Sequence, residues 1–146
     1  MTEKAAAKRT MRLEVVTPRE VVFAADADMI VAPATEGSLG ILPLHAPLVS
    51  ALDPGVLRVQ QDGMEVKMAV SGGFIVVKPH KTVVLADTAE RAENIDVERA
   101  MAARERAIKR LTSKGEGIDL IRAEAALRRA TARLKAAGHG GGNGLH

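Results

Sequence analysis

Between residues 11 and 85, apolar positions fall in short β-branched runs, each stopped by Gly, Pro or charged residues. Met11–Thr17 reads as a strand ended by Pro18, and Val21–Ala24 and Met29–Ala32 read as short strands with Asp26 and Asp28 between them. Glu36–Pro47, punctuated by Gly and Pro, reads as a loop enclosing the apolar stretch Leu39–Leu44. Val56–Gln60 and Met64–Val70 flank Asp62-Gly63, a hairpin signal because both central turn positions need φ > 0. In Met64-Glu65-Val66-Lys67-Met68 apolar and charged residues alternate, which buries one sheet face and wets the other. Gly72-Gly73 turns the chain into Phe74–Val77, and His80-Lys81 separates that run from Thr82–Leu85. Strands at this spacing predict an antiparallel sandwich or barrel-like domain.

Past the polar boundary Glu90–Asn94 the period changes from two to between three and four. Ile95–Leu111 and Ile118–Leu134 repeat each other, identical at ten of seventeen aligned positions. Each copy opens on an Asp suited to N-capping and continues in strong helix formers. The pattern predicts helices from Asp96 to about Ser113 and from Asp119 to about Ala137, joined by Lys114-Gly115-Glu116-Gly117 and stopped by Gly138. Leu120, Ala123, Leu127, Ala130, Leu134 and Ala137 make one apolar stripe, and Val97, Ala100, Met101, Ala107, Ile108 and Leu111 the other. Both stripes are rich in alanine, whose methyl group removes little area from water. The expected fold is α+β: an N-terminal antiparallel β-sandwich over residues 11–90, then a two-helix antiparallel hairpin over 91–137. Closed and open forms of so lightly packed an arm are expected to differ by roughly a few kcal/mol.

Composition narrows the function. The 146 residues suffice for one small β domain and an appendage, and no apolar run approaches the roughly 18 residues of a membrane span. Residues 1–10 are basic and Ala-rich without an apolar core, so they read as a disordered leader rather than a secretion signal, with Met11 as an alternative start. The Gly-rich tail 138–146 is expected to be disordered as well. The chain has no Cys, which excludes disulfides, thiolate metal sites and thiol catalysis. A net charge of +3 raises nucleic-acid binding, but two Phe and no Trp or Tyr leave almost no aromatic face for bases to stack on.

No nucleophile motif, paired-carboxylate arrangement, His-x-x-x-His spacing or phosphate loop is present, so an independent enzyme is disfavoured. Two features remain. The loop Gly37–Leu48 is either a surface-presenting element with a fixed backbone path or an ordinary connection with His45 a satisfied polar residue. Arg99 and Arg106 are seven apart on the first helix, and Arg129 and Arg133 four apart on the second. In an antiparallel hairpin these guanidinium groups converge on an anion, with Glu90 and Asp96 accepting from a base or sugar. The alternative is a solvated face laced with pairs such as Glu105–Lys109 and Glu124–Arg128.

Five segments occur in order: the loop Gly37–Leu48, Asp53-Pro54-Gly55-Val56, Ser71-Gly72-Gly73-Phe74, Val84-Leu85-Ala86-Asp87 and Ile95-Asp96. Together they closely resemble the epsilon subunits of bacterial F-type ATP synthases, over about Met11 to Leu134. The resemblance implies a non-catalytic rotor subunit of the central stalk, peripheral at the cytoplasmic face of the bacterial plasma membrane. It implies a sandwich seated on the gamma subunit and on the c-ring, coupling proton flow to ATP synthesis. It also implies a hairpin that is permissive when folded down and restrains ATP hydrolysis when extended toward the alpha/beta hexamer. Nucleic acid and direct membrane insertion are not expected. Glu36, Ser38 and His45 become the c-ring contact candidates, Ser38 standing where many relatives carry an acid. No cofactor is implied as obligatory, and no metal site. ATP, with or without magnesium, is implied as a regulatory ligand through an Ile/Leu-Asp-x-x-Arg-Ala motif. The matching positions are Glu90, Asp96, Arg99, Ala100, Arg106, Arg129 and Arg133. Two competing readings are a free-standing ATP-sensing module of the same fold and a basic nucleic-acid-binding protein.

Overall fold

The computed structural model describes residues 9–113 and 117–139. Most of the expected leader, the interhelical turn at 114–116 and the tail from residue 140 therefore lie outside the described residues.

Ten strands among the described residues form two five-stranded sheets. The first sheet joins β2 (Val21–Ala27), β1 (Met11–Val16), β9 (Lys81–Leu85), β8 (Phe74–Val77) and β5 (Leu48–Ala51), in that order. The second joins β10 (Thr88–Arg91), β7 (Met64–Ser71), β6 (Gly55–Gln61), β3 (Met29–Ala34) and β4 (Gly37–Ile41). Alternation aims one side of each sheet at the other. Leu13 and Val15 of β1, Ile75 and Val77 of β8 and Val84 of β9 meet Ile30, Leu57, Val59, Met68 and Val70 in one sealed core. Each such side chain contributes about 1.5–3 kcal/mol on leaving water, and none of these core residues comes from the helices. Pairing is antiparallel except between β1 and β9, which run parallel because the chain returns to the first strand from the far side of the fold.

Three features depart from the pattern reading. The expected loop Glu36–Pro47 contains strand β4, paired with β3 from Ile30↔Ile41 to Ala34↔Gly37. An edge strand bonds on one side only, so its two glycines are tolerated there. Strands β5 and β10 were also hidden, the first too short to show alternation and the second polar. The Asp62-Gly63 turn does form, with φ of 51° and 79°.

The hairpin follows a 3-10 turn at Ala92–Asn94. Helix α1 (Val97–Thr112) is capped by Asp96, whose side chain accepts a hydrogen bond from Arg99 N at 3.0 Å. Helix α2 (Gly117–Ala136) starts earlier than the repeat suggests, so Asp119 lies in its first turn and favours the positive dipole end instead of capping it. Gly138, at φ 87°, ends it: Gly138 N donates to Lys135 O at 3.0 Å and His139 N to Leu134 O at 2.7 Å.

Helix α2 lies on β6 and β7, and α1 packs chiefly on α2. Ala100 and Ala107 of α1 are buried, as are Ala123, Ala130, Ala132, Leu134 and Ala136 of α2. Met101 and Ile108, expected within the stripe, are exposed, since α1 has a neighbour on one side only. The arm meets the sandwich through a small cluster of its own, Ala69, Ile95 and Ala136 with Val56 and Ala137 against them.

Candidate functional site

A cleft of about 460 Å³ opens between the second sheet and both helices. Its floor is the strand pair β7–β10, where Ser71 faces Thr88 and Ala69 faces Glu90. Its walls carry Arg106 and Arg110 from α1, and Arg122, Arg129 and Arg133 from α2. Positions four or seven apart on each helix share a face, which sets these arginines along the cleft, where all but the half-buried Arg133 are exposed. Glu90 is the only carboxylate lining the cleft among the described residues, and its Oε1 accepts a hydrogen bond from Arg133 Nε at 2.7 Å. That excess of cations over anions in one partly sheltered space suits a multiply charged anion, which Arg can grip through paired N–H donors. The volume lies within the usual range of about 300–1,000 Å³ for small-ligand sites.

The structure thus gathers Glu90, Arg106, Arg129 and Arg133 at one place. It leaves the other three ligand candidates outside the lining. Asp96 spends its carboxylate on the α1 cap, Arg99 is exposed one turn later, and Ala100 is fully buried. Two cleft arginines were missed, although spacing signalled them: Arg110 follows Arg106 by four, and Arg122 precedes Arg129 by seven. Ser71 and Thr88 had no signal, because only strand pairing brings them together.

The three contact candidates in the loop do not converge. Glu36 is exposed in the β3–β4 turn, Ser38 sits on β4, and His45 lies beyond the far end of that strand. Five strand residues separate Glu36 from the end of β4, a span of roughly 17 Å. Glu36 and Ser38 lie at the free edge of the second sheet, and His45 sits past it in the connection to the first sheet. Ser38 also borders a groove on the far flank of α2, where Arg128 Nη2 pairs with Asp53 Oδ2 at 3.1 Å.

The first sheet holds a surface that pattern reading did not isolate. Register places Val21, Val16, Leu85, Phe74 and Ala51 in one row across all five strands, on the side facing away from the core. A second row runs through Glu14, Val83, Val76 and Val49. Val21, Val49, Phe74 and Leu85 are 61%, 66%, 53% and 47% exposed, so this face is apolar yet open to water. Phe74–Val77 and Thr82–Leu85 carried the signal: near-continuous apolar runs belong to strands covered on both sides.

A β-sandwich with one outer face roofed by a C-terminal helical pair and the other left apolar and open to water defines the class of this protein. Comparison with known proteins gives this class its family. Residues 10–92 match the family described as ATP synthase, Delta/Epsilon chain, beta-sandwich domain, and residues 93–138 match its long alpha-helix domain. The chain belongs to the ATP synthase delta/epsilon family. It is 63% identical over 107 residues to the ATP synthase epsilon chain of Desulforamulus reducens, covering 73% of this chain and 81% of that one. Identity to the epsilon chain of Pelotomaculum thermopropionicum is 56% over 106 residues, covering 73% and 79%. Among solved structures, a chain of the Euglena gracilis mitochondrial ATP synthase, determined with OSCP, F1 and c-ring, superposes with a TM-score of 0.77 at 28% identity, covering 88% of this chain and 81% of that one. A chain from the central stalk and c-ring of the Tetrahymena thermophila enzyme shares the fold alone, with a TM-score of 0.62 at 16% identity, covering 89% of this chain and 98% of that one. No helix among the described residues is long and apolar enough to cross a membrane.

Proposed function

We propose that this chain is a non-catalytic rotor subunit of a proton-driven ATP synthase, attached through its sandwich and regulated through its arm. The observation that carries the attachment half is the open apolar face of the first sheet. An exposed patch of this kind on a stable sandwich marks a protein interface, and the gamma subunit of the central stalk is the partner we assign to it. The free edge of the second sheet, with Glu36 and Ser38, and the loop that follows it, with His45, are assigned to the c-ring. The complex then works at the cytoplasmic face of the plasma membrane.

The arm half rests on the cleft. Arg106, Arg129 and Arg133 would donate to the phosphates of ATP and Glu90 would accept from its sugar or base, with binding only while both helices are folded onto the sheet. A ligand that binds the closed form alone stabilises it by about 2.7 kcal/mol at a hundred times its dissociation constant. That suffices to hold down an arm seated on a few alanines. Without nucleotide, the crowded guanidinium groups repel and favour extension toward the alpha/beta hexamer, where the arm restrains hydrolysis. The basic residues line a recess instead of an outward stripe, which argues against duplex nucleic acid as the partner.

Charge placed on the apolar face tests the attachment. Phe74→Glu together with Leu85→Glu alters solvent-facing positions, so the sandwich keeps its melting temperature while affinity for purified gamma subunit falls at least about tenfold. Undiminished gamma binding by the folded variant would remove the basis for this docking surface.

A further inference from the structure

Helix α2 has a second flank. On the side away from the arginine cleft, a groove of about 450 Å³ runs between α2 and strands β3 and β6. Val31, Pro33 and Val56 form its floor, and Leu127 adds an apolar side chain to its wall. Register relates the two spaces: Val56 of the groove pairs with Ala69 of the cleft, and Ala69 with Glu90. Groove and cleft therefore lie on opposite sides of one helix, above neighbouring strands. Among the described residues, α1 lines only the cleft.

Three cations line the groove, Arg58 from β6 and Arg128 and Lys135 from α2, and no carboxylate does among the described residues. Arg128 and Lys135 are seven apart, with Thr131 between them, so all three share one flank of the helix. Opposing charge is scarce. Asp53, from outside the lining, pairs with Arg128 at 3.1 Å, and both partners are more than a third exposed. Glu65 stands 4.0 Å from Arg58 and 4.0 Å from Lys67, so one carboxylate serves two cations. Lys135 has no ion pair among the described residues, and the Thr131 hydroxyl makes no hydrogen bond there. The groove thus sets unneutralised positive charge beside an apolar floor, in a volume usual for small-ligand sites.

We propose that this groove is a second ligand site, separate from the cleft, which takes a small phosphate monoester and holds the arm closed. The chemistry of the lining chooses the class. A bare inorganic anion would engage the cations and leave the floor wet, and a neutral apolar molecule would cover the floor and desolvate cations without a partner. A phosphate monoester satisfies both halves. Its phosphoryl group carries about −1.5 to −2 charge, which arginine grips through paired N–H donors, and its organic body covers Val31, Pro33 and Val56. One wall of the site belongs to α2 and the floor to the sheet, so the ligand binds only while α2 is seated. By linkage it raises the affinity of any other ligand of the closed form by the same factor that it gains in return. The inference needs α2 on the sheet and is independent of the nucleotide reading of the cleft.

Full-length chain is titrated calorimetrically with phenyl phosphate, with inorganic phosphate, and with phenyl phosphate in excess ATP. It is compared with Arg58→Gln plus Lys135→Gln, which leaves the Arg128–Asp53 pair in place, and with the cleft variant Arg129→Ala plus Arg133→Ala. The parent is expected to bind one equivalent of phenyl phosphate that ATP does not displace, and to bind inorganic phosphate at least about tenfold more weakly. The groove variant should lose about tenfold or more in phenyl phosphate affinity with its melting temperature and its ATP affinity unchanged. Undiminished phenyl phosphate binding by the groove variant, or no binding by the parent, overturns the site. Displacement by ATP, or loss in the cleft variant alone, would put the probe in the cleft and overturn it equally. Inorganic phosphate bound as tightly as phenyl phosphate overturns the assigned class. A parent that binds phenyl phosphate but not ATP would count against the nucleotide reading alone, because the groove variant still decides the groove.

Discussion

Substituting Ala136 by Asp separates closure of the arm from stability of the sandwich. Ala136 is 3% exposed and sits with Ala69 and Ile95 in a cluster distinct from the sandwich core. Five small apolar side chains at this junction contribute roughly a few kcal/mol at about 25 cal/mol per Å². The flanking pairs Arg128–Asp53 and Arg133–Glu90 are about 40% exposed on average, so solvent screening leaves each at most about 1 kcal/mol. A carboxylate forced into that junction without a partner costs about 3–5 kcal/mol, since Arg133 is already held by Glu90. Its poor placement near the helix C-terminus penalises open and closed forms alike and cancels. The closed-to-open ratio should therefore fall by about a hundredfold or more, while the sandwich core is untouched. The chain has no cysteine, so Cys introduced at exposed Met64 and Ile121 supplies two unique spin-label sites. With ATP present at one concentration for both chains, electron–electron distance measurements should show a dominant closed population in the parent and a minor one in the variant, with sandwich melting unchanged. An unchanged distance distribution, or loss of the sandwich along with the arm, would refute the claim that the junction is small and separable.

The remaining predictions concern the turn beneath the apolar face and the arginine cleft. Gly73 has φ 93°, and a methyl group added there would collide with the Leu85 carbonyl oxygen and lie 2.9 Å from Ala86 Cα. Gly73→Ala should thus lower the stability of the sandwich by about 2–4 kcal/mol, read as a shifted urea midpoint, and a midpoint within error of the parent would contradict the backbone argument. Replacing Arg129 and Arg133 together by Ala removes two charge-assisted donors, each worth about 1.5–3 kcal/mol before allowance for partial exposure. Calorimetry should show ATP binding at least about tenfold weaker, and equal affinity would place the nucleotide elsewhere.

The division of the chain was legible because it follows from period alone: β-branched runs broken by Gly and Pro, then alanine-rich repeats. Strand β4 was not, because Gly37 and Gly40 erase the side-chain alternation that defines a strand, and pairing with β3 alone rescues it. Asp119 misled by analogy with Asp96, since identical sequence opens both copies but only the first helix starts at its Asp. In the cleft, the arginines were readable from helical spacing. The motif's Asp96, Arg99 and Ala100 serve the start of α1 in this closed form, and Ser71 and Thr88 enter only through the β7–β10 register. The apolar outer face was encoded in Phe74–Val77 and Thr82–Leu85, but its extent depends on which five strands are neighbours, and short-range pattern carries no information on that.

The Glu90–Arg133 bond links the two halves of the proposed mechanism. Both residues are assigned to nucleotide, yet in the ligand-free closed form they satisfy each other, so an entering nucleotide must take Arg133 from Glu90 before it gains either. The exchange lowers the net affinity for ATP. It also gives the empty arm a reason to stay near the sheet instead of opening fully under arginine repulsion. Glu90→Gln should therefore act in opposite directions on two readouts, loosening the empty arm while making Arg133 more available to phosphate. A distance measurement without ligand and a calorimetric titration with ATP, on the same variant, would distinguish this competition from a purely structural role for Glu90, in which the two would weaken together.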